Sequence, residues 1–301
     1  MRVGMIGLGR MGAAFAQRLL NHGVPLGVWN RSRAKSDALR AGGAVVHDTP
    51  RRLAEANDAI LVSLADQAAL EEVYAGADGL LAAPLDGKIV AELSTVRPGF
   101  ALRLAEGVRA SRGDFLDTPV LGTVGPAREG RIVVVAGGDG SVLDRLRPVL
   151  SVLSRRTVHM GPVGAGAAMK LVVNMQLAAY WQILGESLSL GQRSGLDLGA
   201  MLDVLAESAI ATPALAAKRP ALMGEPAEVA FNIAGVHKDL CYALSAADAV
   251  GVRGEVAAAA LAGYVRAVDG GLGQADVSDI VGFILRDTQA VRDARSPVHD
   301  L

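Results

Sequence analysis

Lys170 and Asn174 are polar side chains in an otherwise apolar stretch of small residues that follows Gly161. They are four positions apart, so a helix places them on one face. An ammonium group can donate a proton to an oxygen that gains negative charge during a reaction, and its neutral form can take the proton back. The pair therefore indicates an acid/base lysine beside a carboxamide that orients it or the substrate. Two alternatives stay open: a lysine whose charge reaches water, and an asparagine that satisfies backbone groups.

A glycine-rich segment near the start of the chain is the second candidate site. Gly7, Gly9 and Gly12 directly follow the apolar run Val3–Ile6 and precede a helical pattern. In this context the first glycine permits a tight turn, the second lets the backbone approach a pyrophosphate, and the third lets helix and strand pack closely. A helix N-terminus also attracts phosphates. A plain glycine-rich turn is the alternative. The segment predicts a dinucleotide site formed by Gly7, Leu8, Gly9, Arg10, Met11 and Gly12.

The end of the second predicted strand indicates which dinucleotide is bound. An NAD site usually has an Asp or Glu there, which binds the ribose 2′-hydroxyl group. This chain has Asn30, Arg31 and Ser32 instead, which offer hydrogen-bond donors and positive charge. Because cations are not favoured at the start of a helix, the cluster favours an anionic ligand such as a 2′-phosphate. We therefore predict NADPH as the cofactor, with NADH possible; a solvated basic turn is the alternative.

The elements that must position these residues change type midway along the chain. The first half alternates β-like runs with helical patterns, which is typical of βαβ units and a parallel sheet. After Gly164 only helical patterns follow, beginning with a long helix at Ala165–Arg193 that carries Lys170. The sequence predicts a Rossmann-type doubly wound α/β domain at 1–163, joined by this long helix to an all-α substrate and oligomerisation domain at 164–301. The predicted strands are Val3–Ile6, Leu26–Trp29, Ala59–Ser63, Lys88–Glu92, Asp114–Asp117 and Arg131–Ala136.

Bulk composition argues against several other classes of protein. The 301 residues suffice for two domains, and a formal net charge of -1 argues against a generic binder of nucleic acid or of anionic membranes. Cys241 is the only cysteine, so no internal disulfide is possible and a cytoplasmic setting is expected. Polar residues interrupt the longest apolar runs, which argues against a membrane span. No metal site is predicted, because four histidines lack ligand spacing with acids or cysteine: His22, His47, His159 and His299.

With these segments in place, the chain resembles the β-hydroxyacid dehydrogenase family over nearly its whole length. Glu92-Leu-Ser-Thr95 resembles a strand-end segment whose threonine lies by the cofactor, and Leu64 resembles a cofactor-contacting position. The segment from Asp117 to Thr123 resembles the substrate loop, and Lys238 resembles a lysine that reaches the cofactor side of the cleft. The resemblance implies cofactor binding by Leu64, Thr95 and Lys238, substrate binding by Leu121, Gly122, Thr123, Lys170 and Asn174, and catalysis by Lys170 and Asn174.

The resemblance also implies an activity: hydride transfer between NADPH and a small aldehyde, keto acid or β-hydroxyacid, with Lys170 as the acid/base. The chain departs from the family at Leu121 and Thr123, where Ser and Gly are common, and this puts the substrate in doubt more than the reaction type. An apolar helical half that is rich in small residues suggests a homodimer or homotetramer. The enzymatic alternative is C=N reduction like that of imine reductases, which generally lack a lysine at this position. A non-catalytic nucleotide-binding protein of the same fold is the other.

Overall fold

Alternating strands and helices build the first part of the chain, and helices alone build the second, in the computed structural model of this protein. The structure describes the backbone of residues 1–295 and the side chains as far as residue 287. The strands are β1 (Val3–Ile6), β2 (Leu26–Trp29), β3 (Val45–Val46), β4 (Ala59–Val62), β5 (Ile89–Glu92), β6 (Asp114–Asp117), β7 (Val120–Leu121), β8 (Ile132–Gly138) and β9 (Ser154–Gly161). The helices are α1 (Arg10–Asn21), α2 (Arg33–Arg40), α3 (Pro50–Ala56), α4 (Gln67–Ala75), α5 (Pro98–Ala110), α6 (Val124–Arg128), α7 (Gly140–Leu153), α8 (Ala165–Arg193), α9 (Leu198–Glu207), α10 (Pro213–Leu222), α11 (Ile233–Ala249), α12 (Glu255–Ala267) and α13 (Asp279–Arg295).

The sheet has the strand order of a dinucleotide-binding domain. Strands β3, β2, β1, β4, β5 and β6 lie side by side in that order, and all of these pairs are parallel. The chain adds strands on one side of β1 and then on the other, so the order reverses between β1 and β4. In such sheets ligands bind at the carboxyl ends of the strands beside this reversal. The glycine-rich segment leaves β1 at that point.

On the far side of the sheet, β8 departs from the parallel arrangement. β8 runs antiparallel to β6 and β7, which pair with the same edge of β8 in one continuous register. The reason is the short connection through α6, which can reverse the chain but cannot provide the long crossover that a parallel pair needs. β9 is parallel to β8 and covers its other edge, with register shifts between Ile132 and Val133 and between Ala136 and Gly137.

Both faces of the sheet are buried, which confirms the doubly wound architecture. Along β4, Ala59 and Leu61 belong to one buried core cluster, whereas Ile60 and Val62 belong to another. The first cluster includes residues of α1 and α7, and the second includes residues of α3, α4 and α5. Strands that are buried on both faces consist of consecutive apolar residues, because their side chains point alternately to the two layers of helices.

The second half of the chain is all-helical over the described residues. Its core contains Trp181 on α8, Leu202 on α9, Leu215 on α10 and Tyr264 on α12, each at most 2% exposed. The Tyr264 hydroxyl donates a hydrogen bond to the carbonyl oxygen of Ala178 at 3.0 Å, so the polar atom of this buried ring has a partner. None of the helices within the described part of the chain combines the length and the apolar character needed to cross a membrane.

Contacts divide the chain into two compact units, Met1–Val173 and Asn174–Leu301. This division lies inside α8, so the first turns of the long helix belong to the first unit. The boundary at 163/164, which the sequence places at the start of this helix, stays a prediction.

Most predicted elements are present, and several have the bounds expected from sequence. β1, β2, β6 and α8 match the predicted ranges, and β4 and β5 each differ by one residue. Three strands have no clear signal in the sequence: β3 and β7 are only two residues long, and in β9 Arg155 and Arg156 interrupt any apolar pattern. Helix α10 is likewise not predicted, because Pro213 and Pro220 obscure its helical signal.

Candidate active site

The three glycines of the nucleotide segment are required for three different reasons. Gly7 has φ +90°, and a Cβ atom there would collide with the carbonyl oxygen of Ser63 at the end of β4. A Cβ atom on Gly12 would collide with the carbonyl oxygen of Gly7. Around Gly9, by contrast, no heavy atom lies within 4 Å of the position of a Cβ atom. The first and third glycines therefore permit tight packing, and the second leaves open space beside the start of α1, as a pyrophosphate requires.

The start of α1 has hydrogen-bonding capacity for an anion. Gly9 occupies the N-cap position and contributes no side-chain capping bond. The first N–H groups of a helix have no partner within the helix, and the helix dipole favours negative charge there. Because this helix begins beside the reversal of strand order, these N–H groups lie where a dinucleotide is expected to cross the sheet.

Asn30 links the glycine-rich segment to the turn after β2. The backbone N–H of Leu8 donates to Asn30 Oδ1 at 2.9 Å, and Asn30 Nδ2 donates to the carbonyl oxygen of Ser32 at 3.0 Å. The sequence indicates Asn30 only as a donor to the cofactor. In the structure its carboxamide also fixes the distance between the two loops that are predicted to hold the cofactor phosphates.

The arginines of this turn differ in what they contact. Arg33 forms ion pairs with Asp37 and Asp48, so its charge is already compensated. Arg31 and Arg10 are exposed, and neither has a hydrogen bond or an ion pair among the described residues. Their guanidinium groups are therefore available to an anion, and Arg31 directly precedes Ser32, the N-cap residue of α2. This geometry fits the phosphate groups of a dinucleotide.

A buried hydrogen-bond network holds the loops after β4 and β5 together. The N–H of Leu64 donates to Ser94 Oγ at 2.8 Å, and the N–H of Ser94 donates to Glu92 Oε1 at 2.8 Å. The hydroxyl of Tyr74 donates to Glu92 Oε2 at 3.0 Å. Glu92 is fully buried, and this burial, with a smaller contribution from the charge of Asp117, raises its pKa to about 7. Sequence reasoning singles out Leu64 and Thr95 but assigns Glu92 no role.

Thr95 and the substrate loop lie further along the same edge of the sheet. Thr95 is half-buried and does not cap α5, because Arg97 occupies the N-cap position and Pro98 follows it. In the substrate loop Gly122 has φ +132°, a conformation that other residues rarely adopt, and Thr123 is the N-cap residue of α6 without a side-chain capping bond. Leu121 is half-buried in β7.

The start of α8 is held by a carboxylate from the sheet. Asp117, at the end of β6, accepts the N–H of Gly164 at 2.8 Å and the N–H of Ala167 at 2.7 Å. Asp117 is 1% exposed, and burial raises its pKa, which these backbone donors partly oppose. Lys170 is half-buried and follows Ala167 by three positions in the same helix. The structure thus attaches the helix that carries Lys170 to the carboxyl edge of the sheet.

In the second unit, Asn174 and Lys238 meet at one buried acid. Asn174 Nδ2 donates to Asp239 Oδ2 at 2.6 Å, and Lys238 Nζ lies 3.0 Å from Asp239 Oδ1. The ammonium group of Lys238 also lies 4.9 Å from the ring centre of Tyr242. Sequence reasoning named Asn174 and Lys238 but missed Asp239 as their common partner. The signal that could have found it is an acid directly after the lysine, on the buried side of an amphipathic helix.

The histidines contact protein groups. His159 Nε2 lies 2.8 Å from the carbonyl oxygen of Gly138, and His237 Nε2 lies 3.9 Å from the sulfur of Cys241. Among the described residues, no group of three or more His, Cys, Asp or Glu side chains could hold a metal ion. His299, another histidine named from the sequence, lies outside the residues whose side chains are described.

Two family models match successive parts of the chain. The model described as the NAD binding domain of 6-phosphogluconate dehydrogenase matches residues 2–161. The model described as NAD-binding of NADP-dependent 3-hydroxyisobutyrate dehydrogenase matches residues 164–284. Both descriptions concern NAD(P)-binding domains, in agreement with the glycine-rich loop and the exposed arginine side chains beside it.

Individual relatives match almost the whole chain. Glyoxylate/succinic semialdehyde reductase 1 of Arabidopsis thaliana is 34% identical over 281 residues, which cover 93% of this chain and 97% of the relative. The 2-(hydroxymethyl)glutarate dehydrogenase of Eubacterium barkeri is 32% identical over 286 residues, 93% of each chain. The solved structure of Psf3 in complex with NADP+ and 2-OPP has a TM-score of 0.84 and 27% identity, and covers 94% of this chain and 99% of that one. The similarity therefore extends through both units.

Proposed function

This chain belongs to the β-hydroxyacid dehydrogenase family of NAD(P)-dependent oxidoreductases, and we propose that it is an NADPH-preferring reductase of small aldehydes or keto acids that carry a carboxylate. The observation that carries the proposal is the attachment of α8, with Lys170, to the carboxyl edge of the sheet on which the glycine-rich loop lies. This arrangement supports a proton donor on a helix that is fixed to the same sheet as the glycine-rich loop.

The role proposed for each residue follows from the chemistry of its side chain or backbone group. A bound nicotinamide supplies or accepts the hydride. The ammonium group of Lys170 donates a proton to the oxygen of the reacting carbonyl and stabilises its negative charge. The N–H groups at the start of α1, together with Arg10, hold the pyrophosphate, and Leu64, Thr95 and Lys238 contact the cofactor elsewhere. Asn174, held by Asp239, orients the substrate by hydrogen bonds.

The substrate class rests on the relatives and on the substrate loop. The relatives' names contain glyoxylate, succinic semialdehyde and a glutarate, all of which carry carboxylates. In this chain the backbone N–H groups around Gly122 and Thr123 are the proposed anion-binding groups. Leu121 makes this pocket more apolar than a serine would, which favours substrates with a bulkier or less polar substituent next to the carbonyl.

We also propose that residues 1–163 bind the dinucleotide and that residues 164–301 serve substrate binding and assembly into a homodimer or homotetramer. Large apolar side chains are exposed on the helices of the second part, among them Ile183, Leu190 and Val256 at 58%, 69% and 72%. Exposed apolar side chains in such number are typical of surfaces that associate.

A substrate panel tests the activity. NADPH oxidation is followed by absorbance with glyoxylate, succinic semialdehyde, neutral aldehydes and cyclic imines as separate substrates. We expect turnover with the carboxylate-bearing aldehydes. Turnover of the imines alone would favour C=N reduction, and a protein that binds NADPH but turns over no member of the panel would contradict the proposed activity.

Arg31→Asp should abolish or invert the preference for NADPH, because a carboxylate there repels a 2′-phosphate. The loss of a charge-assisted hydrogen bond predicts a fall of about tenfold to a hundredfold in kcat/KM with NADPH. The measurement is kcat/KM with both cofactors. Arg40→Asp is the matched control: it changes the charge equally at the other end of α2, where Arg40 already pairs with Asp37. Equal catalytic efficiency with NADPH and NADH in the unmodified protein would contradict the preference.

Leu121→Ser should shift selectivity toward small carboxylates such as glyoxylate. A serine hydroxyl can donate to a carboxylate, and one such bond is worth about 1–3 kcal/mol. The measurement is the ratio of kcat/KM for a carboxylate substrate to that for its neutral analogue. Leu121→Ala is the control, since it removes the same bulk without adding a donor. An unchanged ratio in the serine variant would mean that residue 121 does not face the substrate.

A further inference from the structure

Asp117 joins two elements that are distant in sequence. Its Oδ1 accepts the N–H of Gly164 and its Oδ2 accepts the N–H of Ala167, which are 47 and 50 positions away. Most helices in this protein that have a side-chain cap receive it from the residue at their own N-cap position, as α7 does from Asp139. In α8 the carboxylate comes instead from the end of β6. The first turn of α8 is therefore fixed to the sheet and not merely capped.

Both carboxylate oxygens of Asp117 accept a hydrogen bond from the start of α8, so the start of the helix is held at two points. The first N–H groups of a helix have no partner within the helix, and a carboxylate that accepts two of them fixes both the position and the rotation of the first turn. Since Asp117 is 1% exposed, water cannot easily replace either bond. A displacement of the helix start would leave these buried donors without their acceptor, which is unfavourable, so the helix start is held in place.

The backbone around the Asp117 carboxylate packs so closely that the first turn of α8 has no room for another position. A Cβ atom on Gly166 would lie 2.6 Å from the carbonyl oxygen of Val135 and 2.7 Å from that of Asp117. A Cβ atom on Gly137 would lie 2.5 Å from Asp117 Oδ1. The first turn of α8 thus packs directly on the backbone of β6 and β8. Any change in this contact must move the helix, because the strands are held in the sheet on both sides.

Lys170 is three residues beyond Ala167, or about 4.5 Å along the helix axis. A displacement of the first turn is therefore passed almost undiminished to the lysine. Misplacing a reacting group by about 1 Å can cost a hundredfold in rate.

We propose that Asp117 is a positioning residue for Lys170: it fixes the first turn of α8 on the sheet and so sets where the ammonium group meets the reacting oxygen. This inference rests on the proposed function of Lys170 as the acid/base.

Asp117→Asn tests the inference with little change in volume. A carboxamide has one oxygen, so it can accept only one of the two N–H groups and places an NH2 group against the other. We expect kcat to fall by about tenfold to a hundredfold, while the Kd of NADPH changes by less than about threefold. The fall should be similar at every pH from about 6 to 9, because a displaced proton donor is less effective whatever the pH.

Gly166→Ala provides a second variant that involves no charge. Its methyl group must push the first turn of α8 away from β6 and β8, so kcat should again fall while NADPH binding is kept. Because both substitutions displace the same turn, the double variant should lose less than the product of the two separate effects. If the asparagine variant does not fold, Gly166→Ala decides the question by the same measurements.

The neighbouring helix α7 offers matched controls. Asp139→Asn alters the carboxylate that caps α7, whose Oδ1 accepts the N–H of Ser141 at 2.7 Å. Gly140→Ala adds a methyl group in the first turn of α7, where the nearest atom lies 3.8 Å away. Both controls should keep kcat within about twofold, since α7 carries no proposed catalytic group.

The possible outcomes separate this inference from the proposed function. Folded Asp117→Asn and Gly166→Ala variants with unchanged kcat, alongside an inactive Lys170→Ala variant, would overturn only the positioning role. A shifted pH profile in Asp117→Asn with normal kcat in Gly166→Ala would also overturn it, because the carboxylate would then act through its charge. Normal turnover of Lys170→Ala would overturn the proposed function and the inference together.

Discussion

Lys170→Ala should lower turnover by at least about a hundredfold, the lower end of what general acid catalysis supplies. The substitution removes the proposed proton donor, while the glycine-rich loop and the turn after β2 keep their geometry. NADPH should therefore bind with nearly unchanged affinity. Steady-state kinetics with glyoxylate or succinic semialdehyde, together with a fluorescence titration of NADPH, measure both effects.

Lys170→Arg distinguishes proton transfer from mere charge at this position. Arginine keeps the positive charge but does not release its proton at any pH near neutral. If Lys170 transfers a proton, the arginine variant should be nearly as slow as the alanine variant. If only positive charge is needed, arginine should restore much of the rate. Near-normal turnover of the alanine variant would show that Lys170 has a structural role only.

Glu92→Gln should make the free energy of unfolding less dependent on pH. The pKa of Glu92 is raised from 4.5 to about 7 by its burial. Below pH 4.5 the carboxyl group is protonated in both the folded and the unfolded states. Between pH 4.5 and 7 the unfolded chain releases this proton while the folded protein keeps it, so stability falls as pH rises. Above pH 7 the folded protein carries a buried charge and the loss is complete.

The size of this effect follows from the shift of the pKa. A difference of this kind corresponds to roughly 3 kcal/mol, at about 1.4 kcal/mol for each pH unit. Glutamine is neutral at every pH and can still accept the N–H of Ser94, while its NH2 group can donate to the hydroxyl oxygen of Tyr74. Relative to the unmodified protein, the variant should therefore gain stability on going from pH 4.5 to pH 8.

Urea unfolding of both proteins at the two pH values measures this gain. Glu72→Gln is the control: it removes an exposed carboxylate from the same helix as Tyr74, two positions earlier. Its effect on stability should be small at both pH values. A glutamine variant that is destabilised more at pH 8 than at pH 4.5 would mean that the folded protein stabilises the Glu92 carboxylate and that its pKa is lowered instead of raised.

The elements with strong local signals could be predicted from sequence. β1 and α1 are marked by an apolar run, three glycines and an amphipathic helix, all within the first 21 residues. The bounds of α8 are marked by Gly164 before it and Gly195 after it, both with positive φ. In each case the residues that determine the element lie within it or next to it in the chain.

The parts that could not be predicted depend on partners far away in sequence. Asp117 caps a helix that begins nearly 50 residues later, and Asp239 meets Asn174 across 65 positions. Glu92 appeared only as one letter of a family segment, although its burial against Tyr74 is what gives it an unusual pKa. No periodicity or spacing contains such pairings, because they are made by the packing of strands and helices.

Strand β9 has a consequence for producing fragments of this protein. β8 contains five consecutive apolar residues, Ile132–Ala136, a composition with a high tendency to aggregate when its edge is open. β6 and β7 cover one edge of it, and β9 covers the other with a strand whose Arg155 and Arg156 are exposed. Charged side chains on an outer strand discourage pairing with other chains. A nucleotide-binding fragment that ends before Ser154 would lack β9 and would expose the unpaired edge of β8, which can pair with other chains. A fragment that extends through Gly161 would keep β9 on this edge.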